Sequence, residues 1–297
     1  MTRRCGFVAI VGAPNAGKST LLNRLLGAKL AIVTPKPQTT RRRMLGIVVE
    51  GETQIILVDT PGIFAPRRRL DRAMVGAAWT GAVEADLVMM LIDARRPIDG
   101  DARIVLDGLG RHRRPAIAVL NKVDAIEKKD LLPLAAHLDQ TGLFQAVMMI
   151  SALSGDGVED LKRHLAAAMP EGPWHFPEDQ LTDLSERLIA AEITRERLFL
   201  ELRQELPYAS AVETTGWQDQ ADGSVRIEQT IHVERDGQKA IMVGKGGRQL
   251  KRIGALARAE MERSFSRRVH LFLFVRVTEG WAESRQHLAA LGLEDEP

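Results

Sequence analysis

Short apolar runs set the rhythm of the first half of the chain. Phe7 to Val11 is followed by Gly46–Val49, Gln54–Val58, Leu87–Ile92, Ala116–Leu120 and Ala146–Ile150, and each run reads as a strand. Asp101–Arg111 and Glu127–Gly142 lie between them and read as helices. Strand and helix alternating in this way predict a mostly parallel α/β sheet with helices on both faces. Ligands of such a sheet bind at the C-terminal ends of its strands. The paired methionines Met89, Met90 and Met148, Met149 fit as core filler.

The pattern changes near Met169. Pro170 to Pro177 holds three prolines and a glycine in eight residues and reads as a linker. Beyond it a helical pattern runs from Leu181 to Leu206. Two strand-like segments follow, Ser210–Gln218 and Ser224–Glu234, the second alternating regularly over Val225–Val233. A basic, helix-like stretch and a last strand, Val269–Val277, complete an α+β unit. The expected division is therefore a first domain over residues 1–170, a linker over 171–180 and a second domain over 181–297. The acidic end, Glu294 to Glu296, is expected to fray.

Composition narrows the classes. The 297 residues are 45% hydrophobic and 27% charged, as in soluble globular proteins. No apolar stretch approaches the roughly 20 residues that span a bilayer. The opening residues Met1 to Cys5 lead directly into the first strand and leave no room for a signal peptide. One cysteine, Cys5, excludes internal disulfides and a cysteine-rich metal site. The net charge is only +2, so nucleic-acid affinity must come from a local patch.

The candidate chemistry sits at the strand ends. Gly12, Ala13, Pro14, Asn15, Ala16, Gly17, Lys18, Ser19 and Thr20 follow the first strand in the spacing G-x-x-x-x-G-K-[ST]. Such a loop turns backbone N–H groups around phosphates at the N-terminus of the next helix. Lys18 reaches the terminal phosphates and the Ser19 hydroxyl binds Mg²⁺. This loop alone separates neither GTPases nor ATPases nor kinases. Asp59, Thr60, Pro61 and Gly62 follow the strand ending in Val58, where the carboxylate can hold Mg²⁺ and the glycine N–H can touch a γ-phosphate.

Asn121, Lys122 and Asp124 follow the strand ending in Leu120. A carboxylate at Asp124 accepts both N1–H and N2–H₂ of guanine, a pair that adenine does not offer, while Asn121 can meet N7 and Lys122 can cover the ring. Ser151, Ala152 and Leu153 end the next strand, where a backbone N–H can donate to guanine O6. Between the first two motifs lie Gln38, Thr39, Thr40 and Arg41–Arg43. A threonine there can join the Mg²⁺ shell with the γ-phosphate and let go after hydrolysis. Thr40 is favoured, although spacing hardly separates it from Thr39. The arginine triplet is either an RNA or phosphate contact or a solvated charge run. Arg67–Arg69 reads as the start of a mobile helix.

Together these motifs resemble the translation-factor-like GTPases. GAPNAGKST, QTTR, DTPG, NKVD and SALSG are similar to the Era branch of the TrmE-Era-EngA-like superfamily. The resemblance implies a P-loop G domain cycling between GTP and GDP, with Lys18, Asn15, Thr40 and Gly62 in catalytic roles and Ser19, Thr40 and Asp59 at Mg²⁺. In Ras-like GTPases a glutamine after the D-x-x-G glycine positions the attacking water; here that residue is Ile63. Help must then come from a partner's arginine or from a monovalent cation. Potassium-activated relatives use an asparagine at the position of Asn15 as a K⁺ ligand, although Asn15 also simply suits a loop with unusual dihedral angles.

In the second unit, Gly244, Lys245, Gly246, Gly247, Arg248 and Lys251 form a G-x-x-G turn with cations on the helix that follows. Such a turn lets a nucleic-acid backbone lie at a helix junction. The phrase from Gln238 to Gly247, together with Leu271–Val277, resembles the type II KH domain of the same GTPase branch. Only Phe274 departs, at a position where tryptophan is expected. The resemblance implies binding to the 3′ end of small-subunit (16S) ribosomal RNA and assistance in 30S assembly. It further implies a cytoplasmic monomer with peripheral association at the inner membrane. Two rival readings are an RNA-binding adaptor with a relic G domain and a tRNA-modifying GTPase. Intact Lys18, Asp59 and Asp124 speak against the first. The second needs a cofactor domain or a catalytic cysteine outside the G domain.

Overall fold

The computed structural model describes residues 2–36 and 39–284. Pro37 and Gln38 of the switch segment, and the acidic end expected to fray, lie outside the described residues. The described residues divide into two compact units, one of residues 2–31 and 39–183, the other of residues 32–36 and 184–284.

The first unit is a six-stranded sheet in the order β2-β3-β1-β4-β5-β6. Its strands are β1 (Arg4–Val11), β2 (Met44–Glu50), β3 (Thr53–Asp59), β4 (Leu87–Asp93), β5 (Ala116–Asn121) and β6 (Val147–Ile150). Only the β2–β3 pair is antiparallel. Val8 to Val11 and Ala116 to Asn121 are buried without a break, as central parallel strands covered on both faces must be. Ala9, Val11, Val88, Met90, Ala118 and Leu120 face one layer, helices α2 (Arg69–Glu84), α3 (Gly100–His112) and α4 (Lys128–Gln140), which add Ala78, Val105, Leu109 and Leu138 to the core. Helices α1 (Lys18–Leu26) and α5 (Val158–Ala168) pack on the other face.

Two expectations are corrected here. The proline-rich segment is no free spacer: it runs along the first unit as far as Asp183. Cys5 N–H donates to Pro170 O at 3.1 Å, Ile47 N–H donates to Leu181 O at 2.9 Å, and the buried Gln54 side chain bonds the backbone of His175 and Phe176. The long helix is shorter than its pattern. Helix α6 spans Glu186–Glu201, because Leu181–Asp183 lie extended beside β2 and Leu202 has left helical geometry.

The second unit follows the order α6, β7 (Ser210–Asp219), β8 (Val225–Val233), α7 (Asp236–Val243), α8 (Arg248–Phe265) and β9 (Val269–Val277). β7 pairs antiparallel and β9 parallel with β8. Ile227, Ile231 and Val233 point from β8 into clusters with Ala190 and Leu198 of α6 and Ile253, Ala257 and Met261 of α8. Ile32–Lys36 groups with this unit: Lys36 Nζ donates to the carbonyls of Phe199 and Leu202 at the α6 terminus, where a cation suits the helix dipole.

Candidate functional site

The C-terminal ends of β1, β3, β5 and β6 lie along one edge of the first sheet, so the nucleotide motifs predicted from the sequence converge there. The loop after β1 curls tightly. Asn15 takes φ 65° and Gly17 takes φ 102°, and α1 begins at Lys18 with its N-terminus toward the loop. Gly17 has no substitute: a Cβ there would lie 2.3 Å from Asn121 Nδ2. Lys18 crosses the loop, its Nζ donating to Gly12 O at 3.1 Å and Ala13 O at 3.2 Å. Burial lowers the Lys18 ammonium to about 8, against the opposing charge of Asp59. A buried cation in a curled loop at a helix N-terminus suits a phosphate.

Beside it, Thr40 Oγ1 donates to Asp59 Oδ2 at 3.0 Å and lies 3.1 Å from Ser19 Oγ. All three side chains are buried, whereas Thr39 is half-buried. Two hydroxyls and a carboxylate make a hard-oxygen set of the kind that Mg²⁺ takes together with phosphate oxygens. Gly62 comes close enough to the loop that a Cβ would sit 3.2 Å from Pro14. Thr60, expected at the nucleotide, has its hydroxyl committed to Ile10 O at 2.7 Å, which leaves its backbone for a ligand.

At the base end, Asn121 stitches loops together. Its amide donates to Ala16 O at 2.8 Å and accepts from Ala152 N–H at 2.9 Å. Of the backbone N–H groups in this stretch, that of Ala152 is taken up by Asn121. Ser151 anchors its own turn by accepting from Ser154 N–H at 3.1 Å, and Leu153 is exposed. Lys122, at φ 68°, donates to Asn15 O at 2.6 Å. Asp124 stands exposed in a short 3-10 turn over Val123–Ala125, and its carboxylate is open to solvent.

The arginine triplet is not simply a solvated charge run. Arg41 is buried and Arg43 pairs with Glu84 at 2.8 Å, so the segment is built into the fold. Arg69 opens α2, as read from the sequence.

In the second unit, Gly244, Gly246 and Gly247 have φ 70°, 60° and 76° in the turn joining α7 to α8. Lys245, Gly246, Arg248 and Lys251 are exposed around it, and so is Ile241, at 64%. A bare glycine turn rimmed by three cations, with an apolar side chain alongside, suits a nucleic-acid backbone and its bases.

Residues 7–122 match the family described as 50S ribosome-binding GTPase, and residues 205–282 match the KH domain. GTPase Era of Rhizobium meliloti is 56% identical over 291 residues, covering 98% of this chain and 93% of that protein. The chain belongs to the GTPase Era family. Era of Caulobacter vibrioides is 52% identical, with 98% and 96% covered. A solved Era from Aquifex aeolicus, bound to GDP·AlF4⁻, is 38% identical with a TM-score of 0.93 over 98% of this chain and 99% of that one. Another solved Era matches with the same values and is in complex with MgGDPNP and nucleotides 1506–1542 of 16S ribosomal RNA. The α/β P-loop G domain and the KH domain expected from the sequence are both present.

Two features of this Era-family G site escaped the sequence. Ile63, in the position where a water-orienting side chain was sought, is completely buried in the core beneath the loop, and its N–H donates to Gly12 O at 3.1 Å. Arg24 of α1 donates to the carbonyls of Ala152 and Leu153, supporting the loop after β6 from below. Its position between Leu22 and Leu25 on a helix carries no motif, so no local signal marks it.

Proposed function

We propose that this GTPase works as a switch that binds the 3′ region of small-subunit ribosomal RNA through its KH domain and assists 30S assembly. The Gly244–Gly247 turn carries the reading, because it offers a phosphate backbone close approach at three glycines and the exposed cations Lys245, Arg248 and Lys251. Gly12–Thr20 and Asp59–Gly62 hold the phosphates, and Asn121, Lys122, Asp124 and Ser151–Leu153 hold the base. Ser19, Thr40 and Asp59 hold Mg²⁺, which neutralises developing charge on the phosphates when bound. The G domain takes in the segment up to Asp183, and the KH domain begins at Leu184. Crosslinking in cells, with and without GTP, tests the reading. Crosslinks concentrated at the 3′ end of small-subunit rRNA are expected, and crosslinks scattered over other RNAs overturn it.

A cytoplasmic monomer with peripheral contact at the inner membrane rests on family resemblance. Among the described residues no helix is long and apolar enough to cross a membrane.

The Asn15 side-chain carbonyl would help hold a K⁺, which would supply electrostatic help to hydrolysis, since the Ile63 side chain has no hydrogen-bonding group. Replacing Na⁺ with K⁺ at equal ionic strength is expected to raise the GTPase rate, and Asn15→Ala to remove the difference. Equal wild-type rates in the two salts would leave a partner's arginine as the source.

A further inference from the structure

Asp93 ends β4 directly beside Asn121, its register partner on β5. Its side chain is only 9% exposed, yet it faces no apolar core. Oδ2 accepts from Lys122 Nζ at 2.8 Å. Arg95 grips the same carboxylate as a fork, with Nε to Oδ1 at 2.9 Å and Nη2 to Oδ2 at 2.8 Å, and the Arg95 N–H donates to Oδ1 at 3.2 Å. Burial alone would raise this carboxyl, but hydrogen bonds from Arg95 and Lys122 outweigh it and hold the group well below the usual carboxylate range. Asp93 is thus a fixed anion, and Lys122 is suspended between it and Asn15 O at 2.6 Å.

A lysine side chain loses rotamer entropy when it is immobilised. If the stem were loose before binding, ordering it would weaken whatever it covers; a stem already fixed leaves that affinity intact. The sheet edge does not need Asp93 for its integrity. Asn121 already ties the neighbouring loops together, and Ala94 N–H donates to Asn121 O at 3.0 Å.

We infer that Asp93 is a positioning residue for guanine-nucleotide binding, acting through Lys122 by holding its aliphatic stem stretched between the P-loop and the end of β4. Arg95 completes the device by preventing the carboxylate from rotating. The inference rests on the reading that Lys122 covers the guanine ring.

The test is the dissociation rate of a fluorescent GDP analogue from the full-length protein, in the wild type, Asp93→Ala, Lys122→Ala and the double variant. Asp93→Ala is expected to speed release roughly tenfold, as befits a charge-assisted hydrogen bond. In the Lys122→Ala background the same change should add nothing, because the residue it acts through is gone. Asp93→Asn, which keeps the shape and loses the charge, should fall between wild type and Asp93→Ala, and it replaces Asp93→Ala if that variant does not fold. A wild-type rate in Asp93→Ala, or an equal acceleration with and without Lys122, overturns the inference. Failure of the wild type to bind the analogue would instead overturn the nucleotide assignment itself.

Discussion

Asp124→Asn is expected to reverse the base preference of the G site. The Asp124 carboxylate sits exposed in the turn after β5, so exchanging it for an amide leaves packing unaltered. An ionised carboxylate accepts from both N1–H and N2–H₂ of guanine. The asparagine amide presents one acceptor and one donor, which clashes with guanine and suits xanthine, whose O2 accepts. Losing a charged hydrogen bond costs about 1.5–3 kcal/mol, roughly a 10- to 100-fold loss of GTP affinity, with XTP gaining in its place. Titration of both nucleotides measures it, and unchanged affinities for the two would show that Asp124 does not read the base.

Gly246→Asp is expected to abolish RNA binding while leaving nucleotide binding intact. A Cβ at Gly246 meets no atom within 4 Å, and aspartate is among the side chains that best tolerate a φ of 60°. The fold therefore accepts the substitution. The RNA does not, because a carboxylate now occupies the bare turn where a phosphodiester must approach and offsets the charge of Lys245 and Arg248. The expected loss is at least about tenfold at physiological salt. Binding of a 3′-terminal 16S rRNA oligonucleotide, measured alongside GDP affinity and circular dichroism, decides it. Retained RNA affinity in a folded variant places the RNA site elsewhere.

The strand ends were legible because phosphate and guanine each dictate residue type and spacing. Lys18 must be a cation one residue after a glycine, and Asp124 must be an anion two residues after a lysine. Such demands are local in sequence, so they survive as motifs. The α-β-β-α-α-β order of the second unit was legible for a similar reason: alternation in Val225–Val233 and glycine punctuation at Gly244–Gly247 are both local signals.

What escaped depends on partners far along the chain. The proline-rich segment looks like a spacer until Gln54, more than a hundred residues earlier, is seen to bond it at His175 and Phe176. The helical period from Leu181 could not reveal that its first three residues lie beside β2. Arg41 reads as one of three surface charges, although it is buried. Thr60 and Ala152 stand inside motifs, yet the Thr60 hydroxyl and the Ala152 N–H are engaged by Ile10 and Asn121.

The burial of Ile63 has a consequence for timing. With this side chain sealed in the core, placing a glutamine there would strand a polar amide in an apolar cluster rather than aim it at a water molecule. A faster internal timer is therefore not one substitution away. On the proposed reading, in which hydrolysis takes its electrostatic help from outside the chain, the time spent in the triphosphate-bound form depends on an ion or a partner's cation reaching the phosphates. The end of each cycle is thus an event to be signalled rather than an interval counted by the protein alone.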